Sequence, residues 1–517
     1  MGAVTFGTLL MLLGTLGFVG QGFVSRVILA RALSPVQWGE YSLGLALAGL
    51  LSSIGTLGLT SAIARSLAFA QNDAERRSMV RSSFLVTLAA AVVLSAALYV
   101  FGVYVGATYP AEALSLTIEF FAVSVAFSIV SSLIASIFQG YEDVVPNAVF
   151  VNILNPALFI VFLVAAIRTA APGQVFPSAL AAYLAASVIT FASLATYARW
   201  RLRRRLPSGP RAAGAARRLF LFAAPLFLVS VLGYLTGNTD TLILGVYHQA
   251  DVGYYTAGLS LARLVLVGVG ALSYIYLPVA ARFLRQGDHE AITLTYVTAT
   301  KWMVLVSLPL FIVFVFLPGP SLGLVYGTAY QSHVLPLEVL ATGAFVSTLA
   351  GPAAATQISL GQTRLLVYNN AATGAIDILL SVTLIPSMGI VGAAIAWAVS
   401  NAVNPVLSMV ELAVLSDVHP MRAHYVVPVV GTTVPLVLIF RLVPVPSPFW
   451  FLPVLVLLIA AVFILVVFLT ASVDRGDRLV LEVLEGMIGR PLGIVRRVAR
   501  WRLALGRTAP RDPALVR

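Results

Sequence analysis

Between residues 7 and 471 the chain is a near-continuous succession of apolar stretches, each long enough to cross a bilayer. Crossing ~30 Å of hydrocarbon takes ~20 helical residues. About fourteen such spans are legible at that length, at 7–30, 40–63, 83–106, 114–138, 147–168, 176–198, 219–246, 252–280, 300–318, 334–359, 365–386, 389–414, 425–443 and 449–471. Composition agrees: 60% of residues are hydrophobic and 10% charged, with mean hydropathy +0.97, against roughly 25% charged in a soluble domain. The expected fold is an all-α polytopic membrane protein.

The second constraint is a duplication. Residues 26–51, RVILARALSPVQWGEYSLGLALAGLL, align without a gap with 240–265, DTLILGVYHQADVGYYTAGLSLARLV, an offset of 214. Identities fall at Gly39/Gly253, Tyr41/Tyr255, Gly44/Gly258, Leu45/Leu259, Leu47/Leu261, Ala48/Ala262 and Leu50/Leu264. Two six-span halves follow, 1–198 and 219–414, joined by the basic linker 199–218, whose Pro and Gly oppose a continuous helix. An even number of spans per half gives both halves the same orientation, so the repeat is parallel, with its pseudo-twofold axis along the membrane normal. Residues 415–473 add two spans outside the duplication. The tail 474–517 spaces Leu, Val and Ile between arginines, as an amphipathic helix on an anionic leaflet does; a plain retention signal has the same composition.

The net charge of +12 is distributed asymmetrically. One set of loops and the tail hold Arg65, Arg76, Arg77, Arg81, the run from Arg199 to Arg218, Arg282, Arg285, Lys301, Arg364 and Arg422; the opposite loops hold Arg31, Arg168 and Arg441. By the positive-inside rule both termini are cytoplasmic, in a multi-pass protein of the plasma membrane. The charge therefore reads as topology, not as nucleic-acid binding. The chain has no cysteine, Walker A loop, H-E-x-x-H, G-x-S-x-G or dinucleotide fingerprint. No catalytic residue, metal site or cofactor is expected. Two membrane-embedded halves are the organisation of transporters, driven here by an ion gradient, the membrane potential or consumption of product.

Ionisable side chains inside hydrocarbon cost ~2.5–3.5 kcal/mol on insertion scales and mark function. Arg26, Glu119, Asp240, Arg263 and Asp377 are the candidates, Arg263 and Asp377 near mid-membrane by residue count. Arg26 and Asp240 hold equivalent positions with opposite charge, which suits an outer gate, and Arg26 is also a candidate for substrate binding; each snorkelling to headgroups is the alternative. Arg263 stands where the first half has Gly49 and suits a phosphate, or a structural pair with Asp377 or Glu119. Asp240, Asp377 and Glu119 are candidates for ion coupling or gating, to protons or sodium. Asn152 and Asn155 in the fifth span and Asn370 in the eleventh suit sugar hydroxyls, or hydrogen bonds between helices.

SRVILARALSPVQWGEYSLGLALAGLLSSIGTLGL at 25–59, NTDTLILGVYHQADVGYYTAGLSL at 238–261 and IPSMGIVGAAIAWAVSNAV at 385–403 together resemble the polysaccharide transporter branch (oligosaccharide flippase, Wzx-like) of the MOP superfamily. The resemblance implies a MATE-like, V-shaped pair of six-helix bundles around a cationic cavity, working by alternating access. It also implies a polyprenyl-linked oligosaccharide as cargo, moved from the cytoplasmic to the outer leaflet in surface polysaccharide or glycan assembly, by a monomer beside other glycan assembly proteins and membrane lipids. Asp240 matches the acidic residue this branch carries in its seventh helix. Two alternatives stay open: a multidrug or organic cation antiporter of the same superfamily, and a membrane enzyme of polysaccharide assembly. The first favours twelve helices, and the second needs a large outer loop.

Overall fold

A computed structural model describes residues 20–108, 112–205, 214–416, 418–442, 451–470 and 472. The start of the first expected span, residues 206–213 of the linker and the basic tail 474–517 lie outside them. The described residues are helical, with no strand among them. In chain order they form α1 (20–32), α2 (Pro35–Gly55), α3 (Leu59–Ala68), α4 (Asp73–Thr108), α5 (Glu112–Gly140), a π-helix (Asn147–Leu154), α6 (Asn155–Thr169), α7 (Val175–Arg205) and α8 (Ala215–Thr236). There follow α9 (Thr239–Tyr247), α10 (Val252–Val265), α11 (Val267–Arg285), α12 (His289–Phe316), α13 (Pro318–Tyr326), α14 (Val334–Leu349), α15 (Ala353–Ser359), α16 (Thr363–Ser416), α17 (Ala423–Leu442) and α18 (Phe451–Leu469).

Ten described helices are long and apolar enough to span a membrane, or up to twelve if each bent pair is one span. The chain is a multi-pass membrane protein. The bent pairs are α2 with α3, and Gln249–Val265 with Val267–Ser273; their starts, Pro35 and Gln249, are equivalent under the 214-residue offset, and the second bends a turn earlier. α16 is itself two helices run together across a kink at Gly389, φ 55° and ψ −128°. Its length of 54 residues is about 80 Å of helix at ~1.5 Å per residue, more than one crossing.

The chain divides into two compact units. The first holds the described residues up to Ala262 with Leu317–Ala341 and Asn370–Ser400. In lipid, apolar burial gives helices little reason to associate, so close packing of small residues holds them. An ideal Cβ on Gly44 would lie 2.4 Å from Thr117, and one on Gly55 would lie 2.3 Å from Ile129, so α2 lies close on α5. Tyr41, Phe121 and Tyr183 interlock beside it, ring centroids 5.3 and 5.0 Å apart. At the other end of the bent pair, Leu59, Ile63 and Leu67 of α3 pack with Met79, Leu133, Leu219 and Ala223.

The second unit holds Arg263–Phe316, Thr342–Asn369 and the described residues from Asn401. Here the chain breaks between α14 and α15 at Gly351, φ 65°, and tyrosine hydroxyls satisfy the carbonyls that the break frees. Tyr296 Oη donates to Ala350 O at 2.6 Å and Tyr425 Oη to Leu349 O at 3.1 Å. Lys301, expected in an inner loop, lies instead within α12, 1% exposed, and its Nζ donates to Ser472 O at 2.8 Å just beyond α18.

Candidate functional site

The site in the first unit starts from a helix cap. Ser34 and Gln37 form a reciprocal capping box with Pro35 at the first helical position, which fixes where α2 begins. That start lies against its own duplicate. A Cβ on Gly253 would fall 1.9 Å from Pro35 O, and one on Gly39 would fall 2.7 Å from Gly253 N. Thr256 Oγ1 donates to Ser42 Oγ at 3.3 Å, again between equivalent positions. Contact of a residue with its own counterpart is the property of an isologous, twofold interface. The same end is held by Arg31 Nε donating to Val325 O at 2.8 Å, Tyr330 Oη to Ala30 O at 3.3 Å and Gln249 Nε2 to Glu40 Oε1 at 3.4 Å.

Arg26 and Asp240 hold equivalent positions in the repeat, and each interacts with the equivalent tyrosine. Arg26 acts electrostatically on Tyr41, and Asp240 Oδ2 accepts a bond from Tyr255 Oη. The duplicated geometry thus recurs with the charge reversed. Arg26 also donates to Ser260 at 3.4 Å. Ser260 and Arg26 together oppose the burial that pushes the Tyr326 hydroxyl up. Both ionisable residues are therefore engaged by α10, through Tyr255 and Ser260.

The expected seventh span is interrupted, since α8 stops at Thr236 and α9 begins at Thr239. The break puts Asp240, 1% exposed, in the first turn of α9, where unsatisfied N–H groups and the helix dipole favour a carboxylate. Its Oδ1 accepts from Thr241 N at 2.8 Å. Asp377 of α16, also 1% exposed, interacts electrostatically with Asp240 and is hydrogen-bonded to Ser400. Its Oδ2 is buried without a hydrogen-bond partner among the described residues, as are Thr373 Oγ1 and Ser381 Oγ, one turn to either side on the same helix face. Two buried carboxylates this close repel when both are ionised, and unpartnered oxygens around them cost free energy. A cation or proton between them relieves both. No cluster of three or more His, Cys, Asp or Glu occurs among the described residues, and an all-oxygen donor set suits hard cations.

The other sequence candidates fall elsewhere. Glu119 accepts from Ser115 Oγ at 3.1 Å, where α5 meets Gly102 of α4. Asn152 is half-buried on the π-helix, an irregularity common at functional sites; Asn155 is half-buried just after it, and Asn370 is exposed on α16. Arg263, half-buried near the end of α10, belongs to the second unit. Its counterpart Gly49 has its own reason to be glycine: a Cβ there would lie 2.1 Å from Tyr234 Oη, which donates to Ala46 O. Sequence reasoning missed Glu411 in the second unit. Its Oε2 accepts from Gln357 Nε2 at 2.6 Å and Asn369 Nδ2 at 2.8 Å, a buried amide clamp that ties α15 to both arms of α16.

The family model described as polysaccharide biosynthesis protein matches residues 4–284, more than half of the chain. The chain belongs to the polysaccharide biosynthesis protein family. It is 25% identical over 193 residues to the probable low-salt glycan biosynthesis flippase Agl15 of Haloferax volcanii. That match covers 37% of this chain and 41% of the relative, less than half of its length. Among solved structures it is similar to the lipid II flippase MurJ in an inward closed conformation, with TM-score 0.70, 13% identity and coverage of 90% of this chain and 98% of MurJ. An inward-facing multidrug resistance MATE family transporter of the MOP superfamily follows, with TM-score 0.56, 16% identity and coverage of 77% and 93%. The fold is shared with these two solved structures, and the matching relative and both structures are named as flippases or transporters.

Proposed function

We propose that this member of the polysaccharide biosynthesis family is a flippase that carries a lipid-linked glycan precursor from the cytoplasmic to the outer leaflet by alternating access. The observation that carries the reading is the contact between duplicated positions, Gly39 on Gly253 and Ser42 on Thr256. It is a self-complementary seam that closes one end, and it has to part for the other state. On the reading that both termini are cytoplasmic, the seam belongs to the outer side and its parting opens the path outward. Family membership and the MurJ-like fold support the cargo class: a lipid-linked glycan needs its charged, hydrated head shielded while the tail stays in lipid.

In this account Asp240 and Asp377, with Thr373 and Ser400, take the coupling proton or sodium ion, and its occupancy decides whether the two carboxylates hold α9 and α16 together. Arg26 guards the seam, with Glu119 supporting from α5. Arg263 offers a guanidinium to a phosphate of the cargo, and Asn152, Asn155 and Asn370 offer amides to sugar hydroxyls. The basic linker 199–218 serves as the hinge between the repeats. The protein acts as a monomer beside glycan assembly proteins in the plasma membrane.

Purified protein in liposomes loaded with a polyprenyl-linked oligosaccharide tests the reading. The expected result is a cation-gradient-dependent rise in glycan exposed to an external lectin. Rates equal to protein-free liposomes, with efflux of organic cations instead, would support an antiporter.

A further inference from the structure

A pocket in the first unit uses none of the side chains assigned to the seam, the coupling ion or the cargo, and draws only Arg218 from the end of the linker. It has a volume of about 270 Å³, lies between α3, α4 and the start of α8, and is lined by Arg65, Phe69, Gln71, Glu75, Met79 and Arg218. We propose that it holds the phosphate of an anionic lipid headgroup. The Arg65 guanidinium stands 4.6 Å from the Phe222 ring centroid and 5.4 Å from that of Phe69, and cation–π attraction positions it. No carboxylate pairs with Arg65 among the described residues. Its planar fork of donors is therefore held in place and available.

Glu75, the acidic group in the wall, is already engaged. Oε1 pairs with Arg218 at 2.6 Å and Oε2 accepts from Gln71 N at 3.2 Å, which orients the second guanidinium toward the same space. Nearby, Arg76 bonds Ala70 O and Asp73, both at 3.5 Å. Two guanidinia, those of Arg65 and Arg218, thus line a cavity with the single carboxylate of Glu75 in its wall, and Arg76 and Asp73 pair beside it. Planar arginine forks match phosphate oxygens in geometry as well as charge.

Two features favour a lipid over a free ion. Phe69 is 74% exposed beside the pocket, an apolar ring that the headgroup and acyl boundary of a lipid would cover and a free ion would leave in water. The floor is also rigid and apolar, since Met79 and Leu67 belong to the cluster that locks α3 to Leu133 of α5 and Leu219 of α8. An occupied pocket would pin the first helix of the second repeat to the end of α3 in the first.

Native mass spectrometry of the full chain tests this, with phosphatidylglycerol, phosphatidylcholine, a polyprenyl diphosphate and inorganic phosphate as separate probes. Retention of phosphatidylglycerol or of the polyprenyl diphosphate above phosphatidylcholine is expected, and which one prevails identifies the source of the phosphate. Arg65→Gln should weaken that retention about fivefold, the contribution of one interfacial arginine. Glu75→Gln should strengthen it, which a purely structural ion pair would not do. Equal retention by the wild type and Arg65→Gln, or binding of inorganic phosphate alone, would overturn the proposal. Neither outcome bears on whether glycan is flipped.

Discussion

Thr256 hydrogen-bonds Ser42 at 3.3 Å, and the two residues are the same position of a duplicated segment, 214 residues apart. The duplication therefore folds back on itself and supplies both sides of one seam. The identities retained between the copies have a physical reason at Gly39 and Gly253, where any Cβ meets backbone. The divergence also has a place, since Arg26 and Asp240 keep the same tyrosine neighbour with opposite charge.

Gly253→Ala is expected to strain the seam. Its Cβ would fall 1.9 Å from Pro35 O, a backbone atom with no freedom to swing away. Overpacking of this kind costs about 1–3 kcal/mol, read as a lower melting temperature in detergent. Gly22→Ala, with nothing within 4 Å of the added carbon, should leave melting unchanged.

Asp377→Asn and Asp240→Asn should each abolish the dependence of transport on a cation gradient while the protein still inserts and melts normally. Tyr255→Phe removes one bond to the Asp240 carboxylate, and hydrogen bonds to charged groups contribute about 1.5–3 kcal/mol. A drop in apparent cation affinity of about tenfold or more is expected, measured by titrating transport against the ion.

The helical class, the contact between the repeated segments and the burial of Asp240 and Asp377 were legible in the sequence because each needs only hydropathy, spacing or the cost of charge in lipid. The break between α8 and α9 was not, because Gly237–Asn238 sits inside a stretch whose average hydropathy still reads as one span. Glu411 and Lys301 were passed over because both fall near the ends of apolar stretches, where counting places charges in loops. In lipid both the packed and the outward faces of a helix are apolar, so periodicity cannot say which end residues turn inward. The capping of Ser472 O by Lys301 and the amide clamp on Glu411 are long-range contacts with no local sequence sign.

Glu411→Leu should destabilise the second unit by about 1–3 kcal/mol, the cost of leaving buried amides unpaired. Gln357 loses the acceptor of its amide and Asn369 the nearer of two, keeping Ser408 Oγ at 3.3 Å. Thermal melting should fall for Glu411→Leu and recover in part in a Glu411→Leu, Gln357→Leu double variant, because the orphaned donor is then removed.

Lys301→Met keeps the volume of the only lysine but withdraws its donor from Ser472 O. A net hydrogen bond of this kind contributes about 0.5–3 kcal/mol. Proteolysis should cut sooner beyond Leu469 in the variant than in the wild type, while the melting of the first unit is unaffected.

The central claim, that the Ser42–Thr256 seam must part during each transport cycle, can be tested cleanly because the chain contains no cysteine. Ser42→Cys and Thr256→Cys combined in one protein should cross-link on oxidation, stop glycan translocation in liposomes, and resume it after reduction, with each single variant active throughout. Translocation at the full rate by fully cross-linked protein would contradict the account.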